Sequence, residues 1–195
     1  QIPSIFVLPV ERTARLDKLV EFIAQARLDE RPIRLNFICT HNSRRSHLGQ
    51  LWAQTAAAYF GIKGVETFSG GTEATAFNPR AVAAIERSGF SVENPGGDNP
   101  RYGIRFDAEA APQICFSKTY DDDTNPKAEF AAVMTCTDAD QNCPVVFGSS
   151  LRLSLPYDDP KSADGTSEEA QRYDERSAQI ATEMLYVFSQ VKAKS

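Results

Sequence analysis

Residues 33–46, which read IRLNFICTHNSRRS, decide the fold. The first half is a short apolar run that predicts a buried strand over 33–39. The polar loop that follows leads directly into a helix, which stops near Gly61. The apolar residues of that helix recur on one face: Leu48, Leu51, Trp52, Ala56 and Tyr59. A buried strand, a tight loop and an amphipathic helix in this order are typical of an α/β protein.

The rest of the chain repeats this alternation. Further strands are predicted over 65–68, 130–135 and 151–155. Asn78 and Pro79 supply an N-cap and a first helical residue for one helix, and the capping box Thr166-x-x-Glu169 begins a long last helix. We therefore predict an α/β fold with a four-stranded, mostly parallel sheet flanked by helices.

Two segments lie outside this alternation. Residues 1–32 are interpreted as an N-terminal extension with an extended lead-in over 1–10 and then a helix. Residues 94–129, rich in Gly, Pro and Asp, are interpreted as a β-hairpin-like insertion on a long loop. Its two strand-like pieces cover 102–106 and 113–117. The catalytic domain is then predicted to span 33–195, with the insertion inside it.

Composition excludes several classes of partner. The 195 residues carry 21 basic and 26 acidic side chains, a net charge of −5, which leaves no overall basic face for nucleic acid. The longest apolar stretches are far shorter than the ~20 residues of a membrane span, so no membrane partner is expected. Four unevenly spaced cysteines and two histidines indicate neither a disulfide framework nor a metal site. We expect a cytoplasmic protein with reduced thiols, and the sequence leaves its oligomeric state undecided.

The loop after the first strand has the composition of an oxyanion site. A cysteine, five residues and an arginine join the strand to the helix, so the loop's backbone N–H groups converge at the helix N-terminus. The oxyanion-binding residues are expected to be Thr40, His41, Asn42, Ser43 and Arg44. Cys39 is the candidate nucleophile, which the helix N-terminus favours as a thiolate. Arg45 is expected to bind two oxygens of the anion, and Ser46 to donate its hydroxyl to the thiolate.

This segment resembles the phosphate-binding loop of the low-molecular-weight protein tyrosine phosphatase superfamily, and within it that of the thioredoxin-coupled arsenate reductases. Both carry Cys-x-Gly-Asn-x-Cys-Arg-Ser after the first strand, and Asn42, Arg45 and Ser46 match this motif. His41 replaces the glycine, and the loop is strained if the backbone there needs a positive φ. Arg44 replaces the second cysteine and either makes the pocket more cationic or points to solvent.

Two further cysteines extend the resemblance, which covers roughly residues 33–92 and 130–192. Cys136 and Cys143 stand in the segment TCTDADQNCP, which is similar to an acidic segment of the arsenate reductases that ends in Asn-Cys-Pro. The resemblance implies that Cys39 attacks arsenate, that Cys136 then attacks Cys39 and releases arsenite, and that Cys143 takes Cys136 into a disulfide. It also implies that thioredoxin reduces this disulfide and that no cofactor is tightly bound.

Geometry sets a condition on that relay. If 136–143 were helical, the two cysteines would lie ~10.5 Å apart along the axis, whereas a disulfide needs Cα atoms within ~7 Å. The polar sequence, with Pro144 behind it, indicates low local stability, so we predict that oxidation rearranges the segment. Cys115 has no motif around it and is expected to be structural. The run 121–123 is expected to be a solvated acidic loop.

The resemblance also implies a general acid. The superfamily's aspartate before proline maps to Asp159, which would protonate the departing oxygen. Asp158 is a candidate neighbour that would help it keep its proton. Lys161 stands where phosphatases usually have tyrosines, which favours a small inorganic oxyanion, arsenate or phosphate. Tyr157, Trp52 or the insertion would have to supply any aromatic wall.

Three functions stay open. The leading hypothesis is an arsenate reductase that uses its three cysteines in series. The alternative is a low-molecular-weight protein tyrosine phosphatase that hydrolyses phosphomonoesters through a Cys39 thiophosphate, with Asp159 as general acid. The third is an oxyanion-binding module whose altered loop no longer catalyses. Some reductases hold potassium with a glutamate that aligns to Gln50, so no strong cation site is predicted. His41 and His47 are expected to be loop and helix-surface residues.

Overall fold

The elements follow one another in the predicted order. The structure, a computed structural model, describes residues 8–143 and 145–194. Its helices are α1 (Val10–Leu28), α2 (Arg45–Tyr59), α3 (Pro79–Arg87), α4 (Thr137–Asn142) and α5 (Glu169–Ala193). Its strands are β1 (Ile33–Cys39), β2 (Val65–Gly71), β3 (Ser91–Glu93), β4 (Tyr102–Arg105), β5 (Gln113–Cys115), β6 (Phe130–Met134) and β7 (Ser149–Ser154). A short 3-10 helix, Pro160–Ala163, precedes α5.

The central sheet has four parallel strands in the order β2-β1-β6-β7, which confirms the predicted architecture. Cys39 of β1 lies beside Gly71 of β2, and Ile38 lies beside Met134 of β6. Because the strands run the same way, the loops after β1, β6 and β7 leave from one edge of the sheet. That edge therefore brings the segment after Cys39 close to the segments that follow Met134 and Ser154.

The helices cover the two faces of the sheet unequally. α1, α2, α3 and α5 form a layer on one face, with α5 packed against the other three. The fully buried side chains of this side include Leu16, Phe37, Leu51, Val133 and Phe188. The opposite face carries a smaller apolar cluster that contains Ile38 and Met134 and that packs against α4 and Tyr120. Among the described residues, no helix has the length and apolar content needed to cross a membrane.

The first helix is fastened to the last one. Residues 1–7 of the predicted lead-in lie outside the described residues, and α1 already begins at Val10. The Arg12 guanidinium donates from Nε and Nη2 to Glu183 of α5, at 2.8 and 2.9 Å. Glu183 is almost fully buried and also accepts from the Tyr157 hydroxyl. Removing one partner of such a desolvated pair costs ~3–5 kcal/mol, so α1 is an integral part of this core.

Two sequence-based boundaries need correction. α5 begins at Glu169, and the predicted capping box does not form: Thr166 Oγ1 accepts from Glu168 N and the Glu169 carboxylate accepts from Gly165 N, each one residue before the amide that a capping box uses. The predicted hairpin is confirmed as β4 and β5, but a third strand, β3, adds to its edge. With three residues, β3 is too short for a recognisable alternation. Asn78 caps α3 as predicted, accepting from Arg80 N at 2.9 Å.

Candidate active site

Cys39 ends β1, and its sulfur is held by the first turn of α2. Cys39 Sγ lies 3.0 Å from Ser46 Oγ, and both residues are buried. The same Oγ accepts from Asn42 Nδ2 at 2.9 Å, which leaves the Ser46 proton free to point at the sulfur. The sulfur therefore has a hydroxyl donor within reach at the start of α2. The contact places Ser46 where its predicted role requires it, and the role itself stays a prediction.

The left-handed residue of the loop is Asn42, and the strain considered for His41 is absent. Asn42 has φ 46°, whereas His41 is not among the described residues with positive φ. Asparagine adopts this conformation at low cost. His41 instead extends to the surface, where its Nε2 contacts the Glu73 carboxylate at 2.8 Å. The position that requires glycine is Gly71 of β2, which lies against the loop. A Cβ there would lie 2.6 Å from Thr40 O and 2.8 Å from Asn42 N.

His47 is buried beneath the loop, so the prediction of a helix-surface residue is wrong. Its Nε2 bonds to Asn42 O at 2.9 Å, its Nδ1 bonds to Ser69 Oγ at 3.1 Å, and its ring stacks on Phe77 at 3.9 Å. Burial, with the charge of Lys118 as a second cause, lowers the His47 pKa to about 3. The neutral ring therefore donates through Nε2 to the Asn42 carbonyl and accepts from Ser69, which fixes the left-handed turn.

Arg44 does not extend into solvent. Its Nε donates to the Tyr173 hydroxyl at 2.8 Å, and its Nη2 lies 3.5 Å from Asp164. Burial raises the Tyr173 pKa to about 12, so its hydroxyl keeps the proton that it donates to Asp164. The added charge of Arg44 is therefore balanced by a carboxylate, and the side chain ties the loop to α5.

Arg45 and Asp159 form the side of the pocket opposite the loop. Arg45 donates from Nη1 to Tyr157 O at 2.8 Å and from Nη2 to Asp159 Oδ2 at 2.7 Å. Its Nε is buried and has no partner among the described residues, which leaves a donor for an anion. The described residues that line this small pocket include no Phe, Tyr or Trp: Cys39, Thr40, His41, Ser43, Arg44, Arg45 and Asp159. A pocket of this kind suits a small oxyanion.

Neither Asp158 nor the proposed aromatic walls belong to the pocket. The Asp158 side chain is 97% exposed and faces Arg176, so it is not the neighbour that Asp159 was expected to have. The group beside Asp159 is instead the cation Arg45. Tyr157 is buried, and its hydroxyl donates to Glu183. Trp52 donates to Ser177 of α5 and packs against Phe90.

The insertion braces the loop, a role that no sequence motif indicated. Ser117 Oγ donates to His41 O and accepts from Thr75 N, both at 2.8 Å. Lys118 N donates to Asn42 Oδ1 at 3.0 Å. The fifth loop position is also held from outside, because Ser43 Oγ donates to Ala76 O at 2.7 Å. The loop is therefore held by the insertion, by Ala76 and, through Arg44, by α5.

Cys136 lies against the oxyanion loop at the next strand end. It is buried, and its sulfur is 3.4 Å from Thr40 Oγ1. The same sulfur accepts from Ala139 N at 3.4 Å and thereby caps α4. Cys115, in contrast, is buried in β5, and burial raises its pKa to about 12, which makes it an unreactive thiol. Three of the four cysteines thus remain candidates for chemistry.

Cys143 ends α4, so the segment between the two relay cysteines is helical in this structure. All four cysteines are free. Arg152 of β7 holds the end of the helix: its Nε donates to Cys143 O at 3.0 Å, and its Nη2 lies 2.8 Å from Asp140 Oδ1. Tyr120 and the half-buried Cys143 pack against the same small apolar cluster, and the Tyr120 pKa is raised, mainly by burial. A direct Cys136–Cys143 bond requires this helix to open.

Comparison with known proteins gives consistent results for sequence and fold. The chain matches no protein-family profile. It is 30% identical to the arsenate reductase of Bacillus subtilis (strain 168) over 133 residues, which are 68% of this chain and 78% of that protein. The arsenate reductase of Oceanobacillus iheyensis is 30% identical over 135 residues, which are 68% of this chain and 78% of that protein.

Solved structures share the architecture at lower identity. A low-molecular-weight protein tyrosine phosphatase from Bacillus subtilis superposes with a TM-score of 0.52 and 15% identity, over 83% of this chain and 98% of that one. An arsenate reductase in a phosphate-binding state superposes with a TM-score of 0.51 and 15% identity, over 82% and 98%. At this identity the likeness shows the fold.

Proposed function

This chain belongs to the arsenate reductase family, and we propose that it reduces arsenate to arsenite by a relay through Cys39, Cys136 and Cys143. The observation that carries the proposal is the 3.4 Å contact between Cys136 Sγ and Thr40 Oγ1. A second thiol beside an oxyanion loop is needed for reduction, whereas phosphate ester hydrolysis has no use for one.

The proposed reaction begins with binding of the oxyanion by the loop. Backbone N–H groups of residues 40–44 and the free Nε of Arg45 receive its oxygens. The Cys39 thiolate, stabilised by Ser46, attacks arsenic and displaces one oxygen, which Asp159 protonates so that it leaves as water. The product is a thioester-like adduct of arsenic(V) on Cys39.

Reduction follows when a second thiolate attacks the first sulfur. Cys136 attacks Cys39 Sγ, the new S–S bond forms, and the electron pair of the S–As bond stays on arsenic. Arsenic(V) becomes arsenic(III) and leaves as arsenite. Cys143 then attacks Cys136 Sγ and returns Cys39 as a thiolate, so that two thiols are oxidised for each arsenate reduced.

The Cys136–Cys143 disulfide needs a dithiol reductant, and we propose thioredoxin for this role. The half-buried Cys143 at the end of α4 is the more accessible sulfur of the pair. No tightly bound cofactor is proposed. A reducing cytoplasm would supply the thioredoxin and keep the three thiols free.

A phosphomonoesterase activity is the second candidate, supported by the 2.7 Å contact between Arg45 and Asp159. This contact holds the Asp159 carboxylate beside the pocket around Cys39, where it can serve an ester oxygen as an acid once it carries a proton. A pocket without Phe, Tyr or Trp among its lining residues favours small esters over phosphotyrosine. In this reaction water hydrolyses a Cys39 thiophosphate, and neither Cys136 nor Cys143 takes part.

The decisive experiment measures arsenate-dependent NADPH oxidation through thioredoxin and thioredoxin reductase. The wild type is compared with Cys136→Ser and Cys143→Ser, and with Cys115→Ser as the matched control, because Cys115 is buried away from the loop. We expect turnover in the wild type and in Cys115→Ser, and loss of turnover in the other two.

Hydrolysis of p-nitrophenyl phosphate by the same variants separates the alternatives. Hydrolysis without arsenate turnover, unaffected by Cys136→Ser, would assign the chain to the phosphatases. Absence of both activities, with phosphate binding retained, would leave an oxyanion-binding module.

A further inference from the structure

A second cleft lies beside β2, behind the oxyanion loop. Its volume is about 610 Å³, and residues from α2, β2 and the insertion line it. The polar and aromatic side chains used in the argument are Gln50, Arg101, Gln113, Phe116 and Lys118. None of the five belongs to the pocket around Cys39. The lining also holds one carboxylate, Glu66, which is paired with Arg34 at 2.9 Å.

Two cations share one aromatic ring in this cleft. Lys118 Nζ lies 4.6 Å from the centroid of Phe116, and Arg101 Cζ lies 4.0 Å from it. Neither side chain forms a salt bridge with a carboxylate of the described residues. Asp122 acts on Lys118 only at longer range, and its Oδ1 accepts from Thr124. In a chain of net charge −5, two close cations without a bonded anion are unexpected.

Burial makes the Lys118 ammonium group costly. The residue is only 6% exposed, and burial lowers its pKa. Contact with a ring replaces only part of the hydration that an ammonium group loses. Two amides in the same cleft also lack partners: Gln50 Oε1 and Gln113 Nε2 are buried without a hydrogen bond. Gln113 Nε2 is a further donor, so the lining of the cleft carries three donor groups.

We propose that this cleft binds the oxyanion group, a carboxylate or a phosphate, of a small molecule. The anion would lie between Lys118 and Arg101 and accept from Gln113 Nε2. Ile114, half exposed beside them, and the ring of Phe116 offer an apolar surface to the rest of the ligand. The site does not depend on the proposed function, because binding alone tests it.

The cleft is connected to the oxyanion loop by the backbone of Lys118. Its side chain faces the cleft, while its N–H donates to Asn42 Oδ1 at 3.0 Å. The preceding residue, Ser117, donates to His41 O. An anion that pulls on the Lys118 side chain therefore acts on the segment that holds the left-handed Asn42. We expect occupancy of the cleft to change the affinity of the loop for its own oxyanion.

The test is a ¹H–¹⁵N NMR titration with two probes, inorganic phosphate and benzoate. Phosphate suits both sites, whereas the planar benzoate carboxylate does not suit a loop built for a tetrahedral anion. Lys118→Met removes the ammonium group, keeps the backbone N–H and roughly keeps the volume. Arg45→Met is the matched control, because it removes a cation from the pocket around Cys39.

We expect one or both probes to shift the amides of residues 101 and 113–118 in the wild type and in Arg45→Met. Lys118→Met should weaken this binding by about tenfold or more, the usual effect of losing a charge-assisted hydrogen bond. It should also raise the melting temperature in the absence of anions, because an unpaired buried charge is removed. The stronger probe identifies phosphate or carboxylate as the ligand class.

Three results would overturn the site. The first is that neither probe shifts these amides, the second is that Lys118→Met binds the probes as tightly as the wild type, and the third is that the shifts vanish in Arg45→Met. The first two would make Lys118 a structural charge only, and the third would mean that the shifts are relayed from the pocket around Cys39. A folded spectrum of Lys118→Met keeps each result interpretable.

Discussion

Arg45 Nη2 and Asp159 Oδ2 lie 2.7 Å apart, so the cation expected to bind the oxyanion also holds the expected general acid. The carboxylate is fixed from a second side by Lys161 N, which donates to its Oδ1 at 3.0 Å. An oxyanion on the loop therefore shares one guanidinium with Asp159. Attraction of the anion and orientation of the acid are linked through Arg45.

Asp159→Asn should separate these two effects. The amide keeps the shape and an acceptor for Arg45, but it removes a negative charge and the transferable proton. We expect kcat for p-nitrophenyl phosphate to fall by about a hundredfold, while inorganic phosphate inhibits more tightly because a repelling charge is gone. Steady-state kinetics measure both. Asp158→Asn, at a side chain that is 97% exposed, should change neither. Weaker phosphate inhibition in Asp159→Asn would contradict the shared-guanidinium interpretation.

His47 should make the stability of the fold depend on pH. Its pKa is about 3 in the folded protein against 6.5 in a free side chain, so the unfolded chain binds more protons between these values. The contribution of the neutral His47 to the free energy of unfolding is complete above pH 6.5. It is lost as pH falls below this value, by at most about 1.4 kcal/mol per pH unit. Urea unfolding at several pH values between 4 and 7 gives the free energy of unfolding as a function of pH. This free energy should change less steeply with pH in His47→Gln than in the wild type.

Ser167→Ala is the control for that measurement. Ser167 is exposed and carries no titratable group, so its replacement should leave the pH dependence of the free energy of unfolding unchanged. If the free energy of unfolding changes equally steeply with pH in the wild type and in His47→Gln, His47 is not held neutral beneath the loop.

The sheet was predictable because its central strands are buried on both faces. Every residue of β6 is buried, and such strands appear in a sequence as continuous apolar runs. The turn from β1 into α2 was predictable for a similar reason, since a strand, a polar loop and an amphipathic helix leave distinct patterns. The short β3, with exposed and half-buried residues, leaves no such pattern.

The support of the loop was not predictable, because it depends on tertiary contacts. The start of α2 is buried all round, from Ser46 to Leu51, so helical periodicity gives the wrong environment for His47. Ser117 and Lys118 reach the loop from a distant segment without any motif. The same holds for Asp158, which is next to Asp159 in the sequence but does not line the pocket.

Ser117→Ala tests the brace from the insertion. The variant loses the bonds to His41 O and Thr75 N, so we expect the free energy of unfolding to fall by ~1–2 kcal/mol. Because the loop carries the oxyanion donors, KM for the oxyanion should rise more than kcat falls. Ser167→Ala, at an exposed position before α5, should leave stability and KM unchanged. An unchanged KM in Ser117→Ala would show that the loop holds its shape without the insertion.

Arg152→Met tests the contact that holds the end of α4. Losing the bonds to Cys143 O and the Asp140 carboxylate should destabilise the helix by ~1–2 kcal/mol. If opening of α4 limits formation of the Cys136–Cys143 disulfide, its rate should rise by about tenfold. Stopped-flow oxidation followed by mass spectrometry measures that rate. Arg172→Met, in an exposed ion pair on α5, is the control and should oxidise at the wild-type rate. A slower rate in Arg152→Met would mean that Arg152 assists the transfer instead of resisting it.

Oxidation should unfold α4. Cys136 caps the helix and Cys143 ends it, which puts them ~10.5 Å apart along the axis, beyond the ~7 Å that a disulfide allows between Cα atoms. Hydrogen exchange of the amides of 137–143 should therefore be faster in the oxidised protein than in the reduced protein. Cys143→Ser exposed to the same oxidant is the control, because it cannot form this bond and should keep the slow exchange. Identical exchange across 136–148 in the reduced and oxidised wild type would rule out the rearrangement, and with it a direct Cys136–Cys143 step in the relay.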